Sequence, residues 1–431
     1  MACILLKGAR LIDPAKELDQ TGNLLIRDGK IEALGPDVQG PEDVKEIDLK
    51  GKWLVPGLID MHVHLREPGF EYKETIKSGT KAAAAGGFTQ VACMPNTKPP
   101  NDNESVTRFI IERAKEAGFC RVRPVACITK GQQGESLTEF FDLIEAGAVA
   151  FSDDGLPVTR ASVMRLAMEY SLNFETLIIS HAEELDLSAK GCMNEGVTST
   201  LLGLRGIPNA AEDIAVFRDC ALAELTGARV HIAHVSTKGA VEIIRQAKER
   251  GVRVTAETAP HYFSLTEEEV TGYNTNAKMN PPLRTEEDRQ AIIQGLKDGT
   301  LDAIATDHAP HDALSKECEF QLAANGIIGL ETAVSVALDV LYRKEGFSPR
   351  EIMALMSSNP ASILGIDGGT IEVGSQADVT VIDPEVEFSL EKKHLHSKAS
   401  NSPFIGKTFK GRPILTLFKG RPTYDLMGLL A

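Results

Sequence analysis

Nowhere in this 431-residue chain is there an uninterrupted apolar run of the ~18 residues that a membrane-spanning helix needs. The opening segment, Met1-Ala2-Cys3-Ile4-Leu5-Leu6-Lys7, is too short in apolar residues to read as a secretory signal. Positive charge is also scarce. With 46 Lys and Arg against 61 Asp and Glu, the net charge is −15. That excludes a general phosphate-binding surface, and with it nucleic acid as a partner or adsorption to an anionic membrane. It does not exclude a small anionic substrate, because one local arginine overrides the global field. No Cys-x-x-Cys occurs. The seven cysteines (Cys3, Cys93, Cys120, Cys127, Cys192, Cys220 and Cys318) are scattered and odd in number, which argues against a disulfide framework and a thiolate zinc site. A reducing, cytoplasmic setting is expected. No low-complexity tract interrupts the chain, and no Gly-x-Gly-x-x-Gly follows an early strand, so a dinucleotide fold lacks support.

The ends and the middle of the chain have different patterns. Leu24 to Leu34 reads as two short strands around Asp28-Gly29, a strong hairpin signal. Ala377 to Asp383 and Ile414 to Gly420 also read as strands. Between the two ends, eight short apolar runs alternate with helical patterns: 58–64, 88–94, 122–127, 148–152, 177–181, 230–235, 252–257 and 302–306. Helices are expected over Glu74–Ala85, Asn103–Ala117 and Ala240–Arg250. Eight alternating units predict a (β/α)8 barrel over 56–367. Both ends, residues 1–55 and 368–431, read as short strands with turn residues.

A barrel enzyme builds its site where the strands end. His62 and His64 lie two apart in the first run, so in a strand they face the same way. Asp153 and Asp154 follow the fourth run, His181 ends the fifth, His234 lies in the sixth, and Asp307 follows the eighth. Apolar runs that each lead into His or Asp predict a metal site of imidazoles and carboxylates. The set exceeds what one tetrahedral zinc ion uses, so two metals sharing a carboxylate are expected. Such a pair brings the pKa of water towards neutrality and makes hydroxide the nucleophile. Asp307 suits general acid–base work as well as ligation. Arg66, two residues beyond His64, suits bidentate binding of a carboxylate, or alternatively a surface ion pair with Glu67 or Glu71. Asn96, Asn280 and His311 are further candidates, and Asn325-Gly326 could offer backbone amides.

These motifs resemble the dihydroorotase family of the amidohydrolase superfamily, over nearly the whole chain. The resemblance rests on Val55-Pro56-Gly57-Leu58-Ile59-Asp60-Met61-His62-Val63-His64-Leu65-Arg66-Glu67-Pro68-Gly69, Gly86-Gly87-Phe88-Thr89 and Met94-Pro95-Asn96-Thr97. It continues through Thr306-Asp307-His308-Ala309-Pro310-His311, Asn401-Ser402-Pro403-Phe404 and Gly406. It implies that the two chain ends, residues 1–55 and 368–431, join in one small β-sandwich. It implies reversible cyclisation of N-carbamoyl-L-aspartate to L-dihydroorotate in pyrimidine biosynthesis. It also implies one or two Zn²⁺ ions held by His62, His64, Asp154, His181, His234 and Asp307. His64, Arg66, Asn96, Asn280, His311, Asn325 and Gly326 would contact the substrate, and Asp307 would serve as general acid and base. Many superfamily members bridge their metals with a carboxylated lysine after the fourth strand. Here that place reads Phe151-Ser152-Asp153-Asp154-Gly155, so Asp154 would bridge and Asp153 would be a turn residue. The missing lysine counts against the alternative of a hydantoinase or allantoinase. A non-catalytic scaffold is disfavoured because all six ligand candidates are present. A homo-oligomer is expected, with aspartate transcarbamoylase as a possible partner. A mobile loop over Gly155–Ser162 is a further expectation.

Overall fold

The computed structural model describes residues 3–430. Two sheets of eight strands each dominate it. The first is built from both ends of the chain. Five strands come early: β1 (Cys3–Asp13), β2 (Leu18–Arg27), β3 (Lys30–Gly35), β4 (Lys45–Asp48) and β5 (Trp53–Pro56). Three come late: β16 (Val379–Ser389), β17 (Thr408–Phe418) and β18 (Arg421–Asp425). The intervening strands are β6 (Leu58–Val63), β7 (Phe88–Cys93), β8 (Arg121–Ala126), β9 (Ala150–Phe151), β10 (Leu177–Ser180), β13 (Val230–Ile232), β14 (Val254–Thr258) and β15 (Ala303–Ile304). A separate pair, β11 (Met193–Asn194) and β12 (Gly206–Ile207), lies between β10 and β13.

The two chain ends meet where β16 pairs antiparallel with β5, Val379 opposite Pro56 and Ile382 opposite Trp53. The predicted Asp-Gly hairpin joins β2 to β3. Asp28 and Gly29 both have positive φ, 51° and 79°, as a two-residue turn of this hand requires. The amide of Ile31 donates to Ser375 O, and that of Ala377 to Gly29 O, so the sheet curls back on itself. Leu6, Leu11, Leu24, Ile26, Leu54, Val379, Val381 and Leu415 fill the enclosed core.

The second sheet is the predicted barrel, with all its ladders parallel in the order β6 to β10, then β13 to β15. A bridge between Val63 and His308 joins its first and last strands. Asp60 strengthens the join: its buried carboxylate accepts from the Thr306 and His62 amides, at 3.1 Å each. Burial pushes the Asp60 carboxyl up to about 7.

Three strands are shorter than the sequence pattern suggests. The runs 148–152, 230–235 and 302–306 form ladders only over Ala150–Phe151, Val230–Ile232 and Ala303–Ile304. Beyond these ladders the chain turns left-handed at Asp154 (φ 32°), His234 (φ 37°) and Asp307 (φ 47°), whose side chains lie at the barrel mouth.

The helices match expectation within a turn, with their ends set by caps. Thr75 caps Ile76–Ala85, Asn103 caps Glu104–Ala117 with Gly118 left-handed after it, and Thr237 caps Lys238–Glu249. Among the described residues no helix is long and apolar enough to cross a membrane.

Phe151 stacks on Phe140 with centroids 3.8 Å apart, both fully buried, three residues before Asp154. Phe151→Ala is expected to lower stability by about 3–5 kcal/mol in denaturant unfolding, and to lower metal content by loosening the strand that carries Asp154.

Candidate metal centre

Six side chains converge at the C-terminal ends of the barrel strands, and all are buried: His62, His64, Asp154, His181, His234 and Asp307. Five of them form two overlapping trios, and Asp307 lies beside the first. His62, His64 and Asp154 offer ligand atoms within 4.8 Å of one another, as do Asp154, His181 and His234; Asp154 belongs to both. His62 Nε2 lies 3.3 Å from Asp154 Oδ1 and 3.7 Å from Asp307 Oδ1. His64 Nε2 lies 3.1 Å from Asp307 Oδ1 and 3.7 Å from Asp154 Oδ2. His181 Nδ1 sits 2.9 Å from His234 Nε2 and 4.0 Å from Asp154 Oδ1.

Two observations fit this cluster to a divalent cation. His62 Nε2 and His234 Nδ1 are buried with no hydrogen-bond partner, although such atoms are normally satisfied. The charge states also suit a cation. Burial alone would raise the carboxyl pKa values, but the close contact with His62 and the nearby His64 and His181 imidazoles outweigh it and hold Asp154 well below the usual range. The same balance, led by His64, lowers Asp307. Burial, followed by the charges of His181 and His62, pushes His234 down to about 3, so it is neutral. Asp154 and Asp307 are thus ionised and His234 neutral, the donor forms a metal needs; against their burial, His62 is raised instead by Asp154 and Glu257, and His181 by Glu183.

The cluster side chains are themselves held. Glu257, on β14, is 1% exposed and accepts from His62 Nδ1 at 2.9 Å. It lies 3.3 Å from His231 Nε2 as well. Against its burial, His231 and then His62 bring the Glu257 carboxyl down to about 2. A carboxylate can only accept, so the His62 proton sits on Nδ1 and Nε2 faces the cluster. Glu183 contacts His181 Nε2 at 3.1 Å in the same way. Sequence reasoning missed both acids, although Glu257 carries the same signal as the chosen ligands: an acid at the C-terminal end of an apolar strand.

The remaining candidates divide. Asn96 accepts from His64 Nδ1 at 2.9 Å and donates to Asp154 Oδ2 at 2.7 Å, so in this structure its amide ties two cluster residues together. Asn280 donates to Glu183 Oε2 at 2.9 Å. Asp153 faces away and takes the Thr129 amide at 3.0 Å, consistent with a turn role. Arg66 pairs with neither Glu67, which binds Arg113, nor Glu71, which caps Gly69. Its Nε donates to Pro310 O at 3.2 Å, and its Nη2 lies 3.4 Å from His311 Nε2. His311 contacts Asn325 O at 2.9 Å; burial and then Arg66 push its pKa down to about 2. The Gly326 amide does not face open space; it donates to Lys278 O at 3.0 Å. Gly326 is required where it stands, at φ 123° with a Cβ that would meet Ala309 Cβ at 2.6 Å. The segment after Asp154 has no regular structure up to Arg160, and Ser162 already lies in the helix Ala161–Ser171.

Comparison with known proteins agrees with this geometry. A family profile described as dihydro-orotase-like matches residues 51–240, and one described as amidohydrolase family matches 223–424. The dihydroorotase of Syntrophus aciditrophicus is 56% identical over 98% of this chain and 99% of its own length. That of Syntrophotalea carbinolica is 55% identical over 98% and 99%. Among solved structures, the L-hydantoinase (dihydropyrimidinase) from Arthrobacter aurescens superposes with a TM-score of 0.88 at 25% identity, covering 100% of this chain and 98% of that one. The dihydropyrimidinase from Brevibacillus agri, at 24% identity and TM-score 0.85 over 98% of this chain and 95% of that one, shares the fold. Barrel and buried His/Asp cluster together define a cyclic-amide hydrolase of the amidohydrolase class. Within that class, this chain belongs to the dihydroorotase family.

Glu257→Gln removes the charge behind His62 while keeping its shape. It is expected to weaken divalent-metal binding about 10–100-fold in chelator competition, with the fold intact by circular dichroism.

Proposed function

We propose that this protein interconverts L-dihydroorotate and N-carbamoyl-L-aspartate, with Zn²⁺ bound by His62, His64, Asp154, His181, His234 and Asp307. The observation that carries the substrate assignment is Arg66. It is half-buried, next to the cluster, and makes no ion pair among the described residues. Burial lowers its pKa to about 10. An unpaired, partly desolvated guanidinium is costly unless an anion joins it. The carboxylate of dihydroorotate is such an anion; neutral hydantoins have none. The place after β9 without a lysine, where Asp154 belongs to both trios, also favours this reading over a hydantoinase.

Imidazole and carboxylate without thiolate suit zinc, and the sharing of Asp154 supports a bridging role and up to two ions. A bound ion would supply Lewis acidity, lowering the pKa of water and polarising the ring amide carbonyl. Asp307, held ionised, accepts the proton of the attacking water. It returns that proton to the ring nitrogen as the amide C–N bond breaks, and the reverse sequence closes the ring. Arg66 binds the carboxylate in the bidentate geometry that guanidinium favours, with Asn96 and His311 beside it. Asn280, Asn325 and Gly326 complete the substrate wall.

The assembly and location are part of the same proposal. Leu166, Ile214 and Phe217 are exposed on the packed helices Ala161–Ser171 and Ala210–Thr226, which supports a homo-oligomer or a partner such as aspartate transcarbamoylase. Seven free cysteines support a cytoplasmic setting.

The test is hydrolysis of L-dihydroorotate by zinc-loaded protein, with hydantoin and allantoin in parallel. Turnover of dihydroorotate alone is expected; equal or better turnover of hydantoin overturns the assignment. Arg66→Ala is expected to raise KM for dihydroorotate roughly 30–100-fold at unchanged metal content. Asp307→Asn is expected to lower kcat about 10²–10⁴-fold, and near-normal turnover would remove it as base.

A further inference from the structure

The segment 321–326 brings Asn325 beside His311, and its carbonyls turn inward onto buried cations. Lys316, only 4% exposed, ends the short helix Ala313–Lys316 that follows His311 and Asp312. Its ammonium donates to Lys278 O at 3.2 Å, Ala324 O at 2.8 Å and Gly326 O at 3.1 Å. Lys278, 5% exposed, donates in turn to Gln321 O at 2.9 Å and Ala323 O at 2.7 Å. Neither ammonium has a carboxylate partner among the described residues. An ammonium has three donors and no acceptor, so three carbonyls saturate Lys316.

This arrangement is expensive as a way to fill a core. Burying a cation without a counter-charge is disfavoured, and a hydrophobe of similar volume usually does at least as well. The strain shows in the charge itself: burial, and then Lys278, lower the Lys316 pKa to about 7. What the ammonium provides is geometry. Its acceptors lie on two separate segments. Lys278 precedes Asn280 by two residues, and Ala324 and Gly326 flank Asn325. The helix that carries Lys316 begins one residue after His311-Asp312, and His311 contacts Asn325 O. Asn401 supports the same group: it accepts from the His311 amide at 3.0 Å and donates to Ala309 O and Gly326 O, both at 3.0 Å.

We infer that Lys316 is a positioning residue for substrate binding, its ammonium fixing Asn280, His311 and Asn325 relative to one another. The inference rests on the reading of those three as substrate contacts. It predicts that loss of the ammonium is felt in substrate affinity rather than in metal binding or in the chemical step.

The experiment uses the full-length, metal-loaded protein and the variants Lys316→Met and Lys316→Gln. Steady-state kinetics with L-dihydroorotate are combined with hydrogen exchange at the amides of 321–327. Lys316→Met is expected to raise KM about tenfold or more, change kcat less than about twofold, keep its metal content and exchange faster over 321–327. Lys316→Gln keeps two donors and is expected to fall between it and the parent. Unchanged KM overturns the inference whether or not exchange rises, and so does a fall in kcat alone. If Lys316→Met does not fold, Lys316→Gln carries the same criteria. Failure of the functional reading is a separate outcome: the parent protein then fails to turn over dihydroorotate, while the exchange comparison still reports whether Lys316 orders the loop.

Discussion

Everything near the barrel mouth depends on one electrostatic constraint. Four imidazoles and two carboxylates share a buried space in which two ring nitrogens lie 2.9 Å apart and two others have no partner. Neutral rings can share one N–H···N hydrogen bond, between His181 and His234, but they leave His62 Nε2 and His234 Nδ1 without partners, and protonated rings would repel through charge. A divalent cation resolves both conflicts, because it takes lone pairs from imidazole and charge from Asp154 and Asp307. The left-handed backbone at Asp154, His234 and Asp307 is strain that the packed strands beneath must hold.

Around the cluster runs a ring of groups that hold its side chains in place. Glu257 sets the tautomer of His62, and Asn96 joins His64 to Asp154. Asp60 ties the first barrel strand to the last by accepting two amides. On the substrate side the support changes character: cations and an amide hold backbone carbonyls there, through Lys316, Lys278 and Asn401. The metal side is thus organised by anions behind donors, and the substrate side by donors behind carbonyls. Arg66 stands between the two with no ion-pair partner among the described residues.

Much of the barrel was legible because parallel strands buried on both faces read as near-continuous apolar runs, and eight of them recur. The residues of the buried His/Asp cluster were legible for the same reason. A polar, metal-competent residue at the end of such a run stands out, as His181 does after Leu177-Ile178-Ile179-Ser180. Strand ends were less legible. The run 302–306 pairs only over Ala303–Ile304, the chain turns left-handed at Asp307, and no local pattern announces that turn. Glu257 carried the right signal and was passed over. Lys316 and Lys278 carried none: in sequence they are ordinary lysines in polar stretches.

The sequence by itself determined the class of chemistry, since His62, His64, Asp154, His181, His234 and Asp307 are set by spacing along a regular alternation of strand and helix. It also marked both chain ends as short strands unlike the middle, while their joining in one sheet is seen in the pairing of β5 with β16. Only the tertiary structure decided which polar residues act directly and which hold others in place. Asn96 lies on the metal side, the Gly326 amide is engaged by Lys278 O, and two lysines face carbonyls instead of solvent. The physical reason is that hydrogen-bond partners and desolvation come from segments tens to hundreds of residues apart. Glu257 reaches His62 across the barrel, and Lys316 meets Lys278 only once the loops have closed.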